Sequence, residues 1–190
     1  MSIKQTLILA VILILLAGYI VFLRLTRPVE KYEAPPEVWS VKEEAIEHIT
    51  VRVPRKDKQI AFFLDKKEDN WRFDDKTKNL VDLKRWGGIV LLVSGPQSKK
   101  ILAQKVENLA EFGLTDPQMI ITLGVKGLKD PLDIIFGNRT PHKDNFYVKL
   151  KHSDPVYLIN DTFCEVLMRL AQEPPILPLI KARAKAKAKE

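Results

Sequence analysis

The run TLILAVILILLAGYIVFL, residues 6–23, contains no charged residue and constrains this chain more than any other stretch. As a helix rising ~1.5 Å per residue it is about 27 Å long, close to the thickness of a bilayer's hydrocarbon core. A cleaved secretory signal is the competing reading. Its apolar region is usually about 7–15 residues long and ends at a small-x-small site. Here the run is longer and leads directly into Arg24 and Arg27. LLAGY resembles a lipoprotein box, yet Tyr19 stands where a lipidated cysteine has to be. The expectation is an uncleaved, single-pass membrane anchor over residues 1–26, with its span at about 6–23.

The net charge of +7 is carried by the two ends of the chain. Residues 1–31 hold Lys4, Arg24, Arg27 and Lys31 against Glu30, and KARAKAKAKE, residues 181–190, holds five basic residues against one acid. Residues 32–180 therefore hold 22 basic and 22 acidic residues. A nucleic-acid-binding domain carries its basic patch on the folded part, so this balance points away from nucleic acid as a partner. Cys164 is the single cysteine, which leaves no intrachain disulfide to form. Arg24, Arg27 and Lys31 outnumber Lys4 and the amino terminus, so the flanking charges alone favour a cytoplasmic domain.

Residues 27–45 begin with RPVEKYEAPPEVWS, which has three prolines and no apolar period, and read as a semi-rigid spacer. Short apolar runs between turns follow. ITVRV (49–53), IAFFL (60–64), NWRF (70–73) and KKILAQ (99–104) read as strands, and VDLKRWGGIVLLVS (81–94) as a helix weakened by Gly87 and Gly88. MIITLGV (119–125), LDIIF (132–136), NFYVKL (145–150) and VYLI (156–159) are four more strands at hairpin spacing. NDTFCEVLMRLA (160–171) closes the series as a helix capped by Asn160 or Asp161, with Phe163, Val166, Leu167 and Leu170 as its apolar stripe. The fold class is α+β: an N-terminal transmembrane helix, then a mostly antiparallel sheet domain over 46–172 with two main helices, in two strand-then-helix halves. A proline-rich and basic tail occupies 173–190. Within it ILPLI (176–180) is too short to span a membrane and suits docking on the domain or on a partner.

The stretch NLAEFGLTDPQMIITL, residues 108–123, reads as a joint. Gly113 suits a left-handed position just past a short helical run. Leu109 and Leu114 are then the pair that touches in a glycine-terminated helix end. Pro117 blocks return to helix and pushes Asp116 toward extended geometry. Asp116 as a catalytic carboxylate is the sharper reading, and a turn aspartate the commoner one.

Trp71, Val81-Asp82, Gly113-Leu114-Pro117, Gly137, Thr140-Pro141 and Tyr147 occur in an order and spacing that resembles the domain of unknown function 4340 family, over about residues 46–172. The resemblance implies a membrane-tethered domain outside the cytoplasm, in some members linked to transporter-associated or gliding-type systems. It implies no catalytic residues. It places the domain on the periplasmic or lumenal side of an inner or thylakoid-type membrane, against the flanking charges.

Phosphate-loop, dinucleotide, zinc-protease, CxxC and nucleophile-elbow patterns are missing from the sequence. His142 and His152, in HKD and HSD, flank the 145–150 strand, and ten extended residues reach about 33 Å, so they cannot share a metal. NRT (138–140) and NDT (160–162) match the glycosylation pattern but read as turn and cap chemistry. Phe146, Tyr147 and Tyr157 offer an aromatic ligand face, with sheet packing as the plainer reading. No catalytic, cofactor-binding or metal-ligating residue is nominated, and no cofactor is expected.

The leading functional expectation is a non-catalytic accessory or assembly subunit of a membrane or envelope complex, acting through protein partners. The alternative is an extracytoplasmic small-ligand or glycan module, and an enzyme of unrecorded type ranks third. The charge balance of the middle predicts that residues 32–180, expressed alone, are soluble and monomeric and melt cooperatively. Aggregated material or a melt without a transition, by size exclusion and calorimetry, counts against an independent domain.

Overall fold

The computed structural model describes residues 3–26, 36–96, 98, 100–178 and 180. The chain divides into two compact units, Met1–Ala34 and Pro35–Glu190. The first contains α1 (Ile3–Thr26). Its consecutive residues Ile12, Leu13, Ile14, Leu15 and Leu16 are each 50–68% exposed, and five successive residues go fully round a helix. Among the described residues, no helix is long and apolar enough to cross a membrane. The side chains at 3, 6, 9, 11 and 23–26 of α1 lie outside those described.

The second unit is built on one antiparallel sheet. Its strands are β1 (Ile46–Val53), β2 (Lys58–Asp65), β3 (Asn70–Phe73), β4 (Lys100–Ala103), β5 (Met119–Val125), β6 (Leu132–Arg139), β7 (Asn145–Leu150) and β8 (Val156–Asn160). Their order across the sheet is β3-β2-β1-β5-β6-β7-β8-β4. The strand-then-helix halves of the sequence are thus two meanders joined edge to edge, with β1 and β5 in the middle, rather than two separate sheets.

Alternation along each strand sets which face is apolar. Ile49 stands between Phe62 and Leu123, and Val51 between Ile60 and Ile121. Ile121 faces Ile134, Met119 faces Phe136, Phe136 faces Val148, and Val148 faces Tyr157. Cross-strand partners share a face, so one continuous apolar surface runs from β2 to β8. A one-residue slip of any strand would turn its apolar set to solvent.

Helices cover that surface. The stretch expected as one helix over 81–94 is two: α2 (Leu83–Trp86), capped by Asp82, and α3 (Ile89–Ser94). Gly88 between them is left-handed, at φ 79°, a conformation that costs glycine little. The break lets Trp86 pack on Phe62 and Trp71, with ring centroids 4.5 and 5.3 Å away. α4 (Asp161–Gln172) packs against β1, β2, β7 and β8. Its buried residues are Cys164, Leu167, Leu170 and Ala171, so the stripe expected at Phe163 and Val166 is rotated. Val166 is 38% exposed and Phe163 half-buried. The small Cys164 and Ala171 let the helix axis approach the sheet.

Two boundaries move. Residues 36–45, placed in the spacer by composition, belong to the domain. Val38 and Trp39 are buried, the Trp39 indole donates to the Val93 carbonyl at 2.9 Å, and Val41 N–H donates to Ser94 O at 2.7 Å. Two aromatic and aliphatic side chains were enough to pull a proline-rich segment inward. At the other end, residues 173–176 form a strap from α4 to the start of α2: Asp82 N–H donates to Pro175 O at 2.8 Å, and Val81 bridges Ile176. The ILPLI segment therefore begins by docking on its own domain. The basic run 181–190 and the rest of the spacer, 27–35, lie outside the described residues.

Candidate functional site

β4 sits at the far edge of the sheet and β5 in its middle, so the connecting chain has to cross β8, β7 and β6. It crosses on the face opposite the helices, where Phe112 meets Tyr147 edge-on with ring centroids 4.9 Å apart. The joint at 108–118 is where this crossing lands. Residues 109–113 form turns rather than the short helix expected. The end of that turn nevertheless has the hydrogen bonds of a glycine-terminated helix: Leu114 N–H to Leu109 O at 3.0 Å and Gly113 N–H to Ala110 O at 2.9 Å, with Gly113 at φ 67°. The turn is too short to propagate, but its closure is complete.

The joint is clamped to β6. Asn138 N–H donates to Phe112 O at 2.7 Å. A Cβ on Gly137 would lie 2.1 Å from Phe112 O, and one on Gly113 would lie 2.4 Å from the Asn138 side chain. Asp116 is exposed at the rim. Arg55 Nε donates to its Oδ2 at 3.1 Å, and Arg55 Nη2 donates to its backbone oxygen at 2.6 Å. Asp116 therefore ties the crossing to the β1–β2 turn.

The other residues singled out by sequence do not converge. His142 and His152 are exposed in the turns at opposite ends of β7. Among the described residues, no group of three or more His, Cys, Asp or Glu could hold a metal. Thr140 closes the β6–β7 turn through Asp144 Oδ1 at 2.8 Å, and Asn160 caps α4 by accepting from Thr162 N–H at 2.9 Å. Phe146 and Tyr157 face the helices and are buried, whereas Tyr147 points to the other face under Phe112. The aromatic ligand face is therefore split across the sheet. Burial pushes the Cys164 thiol far up, with Asp161 adding to the effect, which keeps it a neutral core group.

The concave surfaces among the described residues include one on each face of the sheet. On the open face a cavity of about 350 Å³ is lined by Thr50, Arg52, Thr122, Asp133, Ile135 and Lys151 among others. Burial pushes the Asp133 carboxyl up, but the Lys151 ammonium at 2.9 Å and the Thr122 hydroxyl at 2.6 Å outweigh it and hold the group below its usual value. The larger groove, about 750 Å³, lies in the helical layer. α4 supplies Val166, Arg169 and Leu170, the α2–α3 pair supplies Arg85 and Ile89, and the strap supplies Ile176. Arg85 holds the strap by donating to Pro174 O at 2.9 Å and Glu173 O at 2.7 Å. Sequence reasoning passed over this groove because it took α4 as a core stripe. Arg169, three residues after the apolar Val166, was the signal for a second, outward stripe.

A family model described as domain of unknown function (DUF4340) matches residues 71–172, more than half of the chain. No curated protein and no solved structure matches it.

Two predictions follow from this geometry. Gly113→Val combines a left-handed position, costing about 1–2 kcal/mol for a non-glycine residue, with a clash against Asn138 worth a further ~1–3 kcal/mol as overpacking. Asp116→Ala removes an exposed ion pair worth about 0.2–1 kcal/mol. Chemical denaturation should give that order, and the reverse order contradicts the clamp. Lys151→Met should destabilise by about 0.5–1 kcal/mol at pH 7. A depressed carboxyl stabilises the fold above its unfolded pKa of about 3.9 and loses that contribution as pH falls through the folded value. The gap between variant and wild type should therefore close below about pH 3.9 in urea melts. A gap unchanged at pH 3 (below about 3.9) would show that Lys151 acts through packing instead.

Proposed function

The chain belongs to the domain of unknown function DUF4340 family, and from that membership we propose that it is a single-pass, membrane-anchored, non-catalytic accessory subunit that works by binding other proteins. The observation that carries this reading is α1. Its full sequence has no charge from Thr6 to Leu23, and its described apolar side chains are exposed on every side. A helix that is apolar all round needs lipid or other helices about it.

The folded unit supports contact rather than turnover. Its middle is charge-balanced, and Leu83, Leu91 and Val166 expose apolar surface on the three helices of one layer, at 64, 61 and 38%. General acid–base catalysis works best with a pKa near the operating pH. The carboxyls with shifted values, Glu47, Asp65, Asp75 and Asp133, are all lowered, so each stays ionised near neutrality. The domain is proposed to stand on the periplasmic or lumenal side, as the family resemblance implies, although Arg24, Arg27 and Lys31 favour the opposite side.

The small-ligand alternative is kept because the groove of about 750 Å³ has the size of a ligand site. The glycan version loses its aromatic platform, since Phe146 and Tyr157 are buried and Tyr147 lies against Phe112.

Protease added to spheroplasts with an intact inner membrane should cut the domain to a short membrane-held stub while a cytoplasmic marker survives. Protection until detergent is added reverses the orientation. In mild-detergent purification, Leu83→Asp combined with Leu91→Asp should lose the proteins that copurify with the wild type. Unchanged copurification would remove the helical layer from the contact surface.

A further inference from the structure

Arg169 is a cation left free beside aliphatic surface, and the local helix explains why. Its partner one turn earlier, Glu165, is held by Arg139. Its partner one turn later, Glu173, leans toward Arg85 at 3.9 Å. Among the described residues the Arg169 guanidinium has no hydrogen bond or ion pair, and it lies on the wall of the α3–α4 groove.

We propose that this groove is a binding site for a small amphiphilic anion, a carboxylate head on a short aliphatic body. Arg169 would take the head, because a guanidinium presents paired donors that match a carboxylate. Val166, one turn before Arg169 on the same side of α4, and Ile89, Leu170 and Ile176 would take the body. The groove's ~750 Å³ falls within the range of about 300–1,000 Å³ typical of small-molecule sites. Arg85 adds a second positive charge. Two of its nitrogens are committed to the strap carbonyls of Glu173 and Pro174, so it positions the wall and leaves ligand contact to Arg169. Glu173, 70% exposed in its side chain, is the single acid on the lining. The lining is thus net positive, which selects an anionic head over a cationic one. The site shares Val166 with the proposed partner surface but not Leu83 or Leu91, which do not line it.

The test uses the full chain in nanodiscs of zwitterionic phosphatidylcholine, titrated at neutral pH with fluorinated octanoate and followed by fluorine NMR. Empty nanodiscs are the blank and octyltrimethylammonium is the charge-reversed control. The expected result is saturable binding above the blank, displaced by unlabelled octanoate and not by the ammonium. Arg169→Gln should weaken binding about tenfold, the scale of one charge-assisted hydrogen bond, and Arg169→Lys should restore most of it. Leu83→Asp with Leu91→Asp should leave binding intact while abolishing copurification, so the two readings fail separately. Thermal melts confirm that each variant is folded. Signal no higher than the blank, equal displacement by the ammonium, or full affinity in Arg169→Gln overturns the proposal. Loss of a copurifying protein in Arg169→Gln without octanoate binding assigns the groove to a partner's acidic segment and likewise overturns it.

Discussion

The pairing of β1 with β5 holds this domain together. Every other pair among β1–β3 and β5–β8 is a local hairpin, which a short turn brings together at little entropic cost. β1 and β5 are separated by the whole first half of the domain, yet they align Ile49 with Leu123 and Val51 with Ile121. Both pairs are fully buried, so the free energy that closes this long loop is apolar contact under the helices. The pairing joins meanders of three and four strands into one sheet, and β4 adds the eighth strand at the β8 edge.

That arrangement creates a routing problem, and its solution gives the sheet two unlike faces. The chain leaves β4 at one edge and must return to the centre for β5. The helices already occupy one face, so the crossing takes the other. It is secured at close range, with the Phe112 carbonyl against Gly137 and the Asn138 amide, and Gly113 against the Asn138 side chain. Two glycines are needed there because no Cβ fits at either position. Asp116 then binds Arg55 at the β1–β2 turn, so one short stretch is tied to both meanders. Phe112, Gly113 and Asp116 thus each have a mechanical role in the crossing.

The helical face carries the features open to other molecules. α4 buries Cys164, Leu167 and Ala171 and turns Val166 and Arg169 outward. The strap runs across the end of the groove and is held by Arg85, so a loop segment acts as a fixed wall. Cation and aliphatic surface therefore sit side by side without belonging to the core. The same layer exposes Leu83 and Leu91, the surface proposed for a partner, near the groove proposed for a small anion.

The sequence by itself determined the local features, because each depends on neighbours in the chain. The uncharged run at 6–23, the eight strands by alternation, the left-handed Gly113, a cap of the last helix at Asn160 or Asp161, and the family through the ordered set from Trp71 to Tyr147 were all legible residue by residue. What it misjudged also has a local cause. Gly87-Gly88 broke a helix that its apolar residues alone would have continued, and Val38 and Trp39 drew a proline-rich stretch into the core. Tertiary structure alone decided which strands became neighbours, since alternation says that a strand has an apolar face but not whose face it meets. It decided that Phe146 and Tyr147 part company across the sheet, that α4 turns Cys164 rather than Val166 inward, and that Arg169 is left without a carboxylate among the described residues. An unpaired cation is a fact about distances between elements, and no spacing along the chain records it.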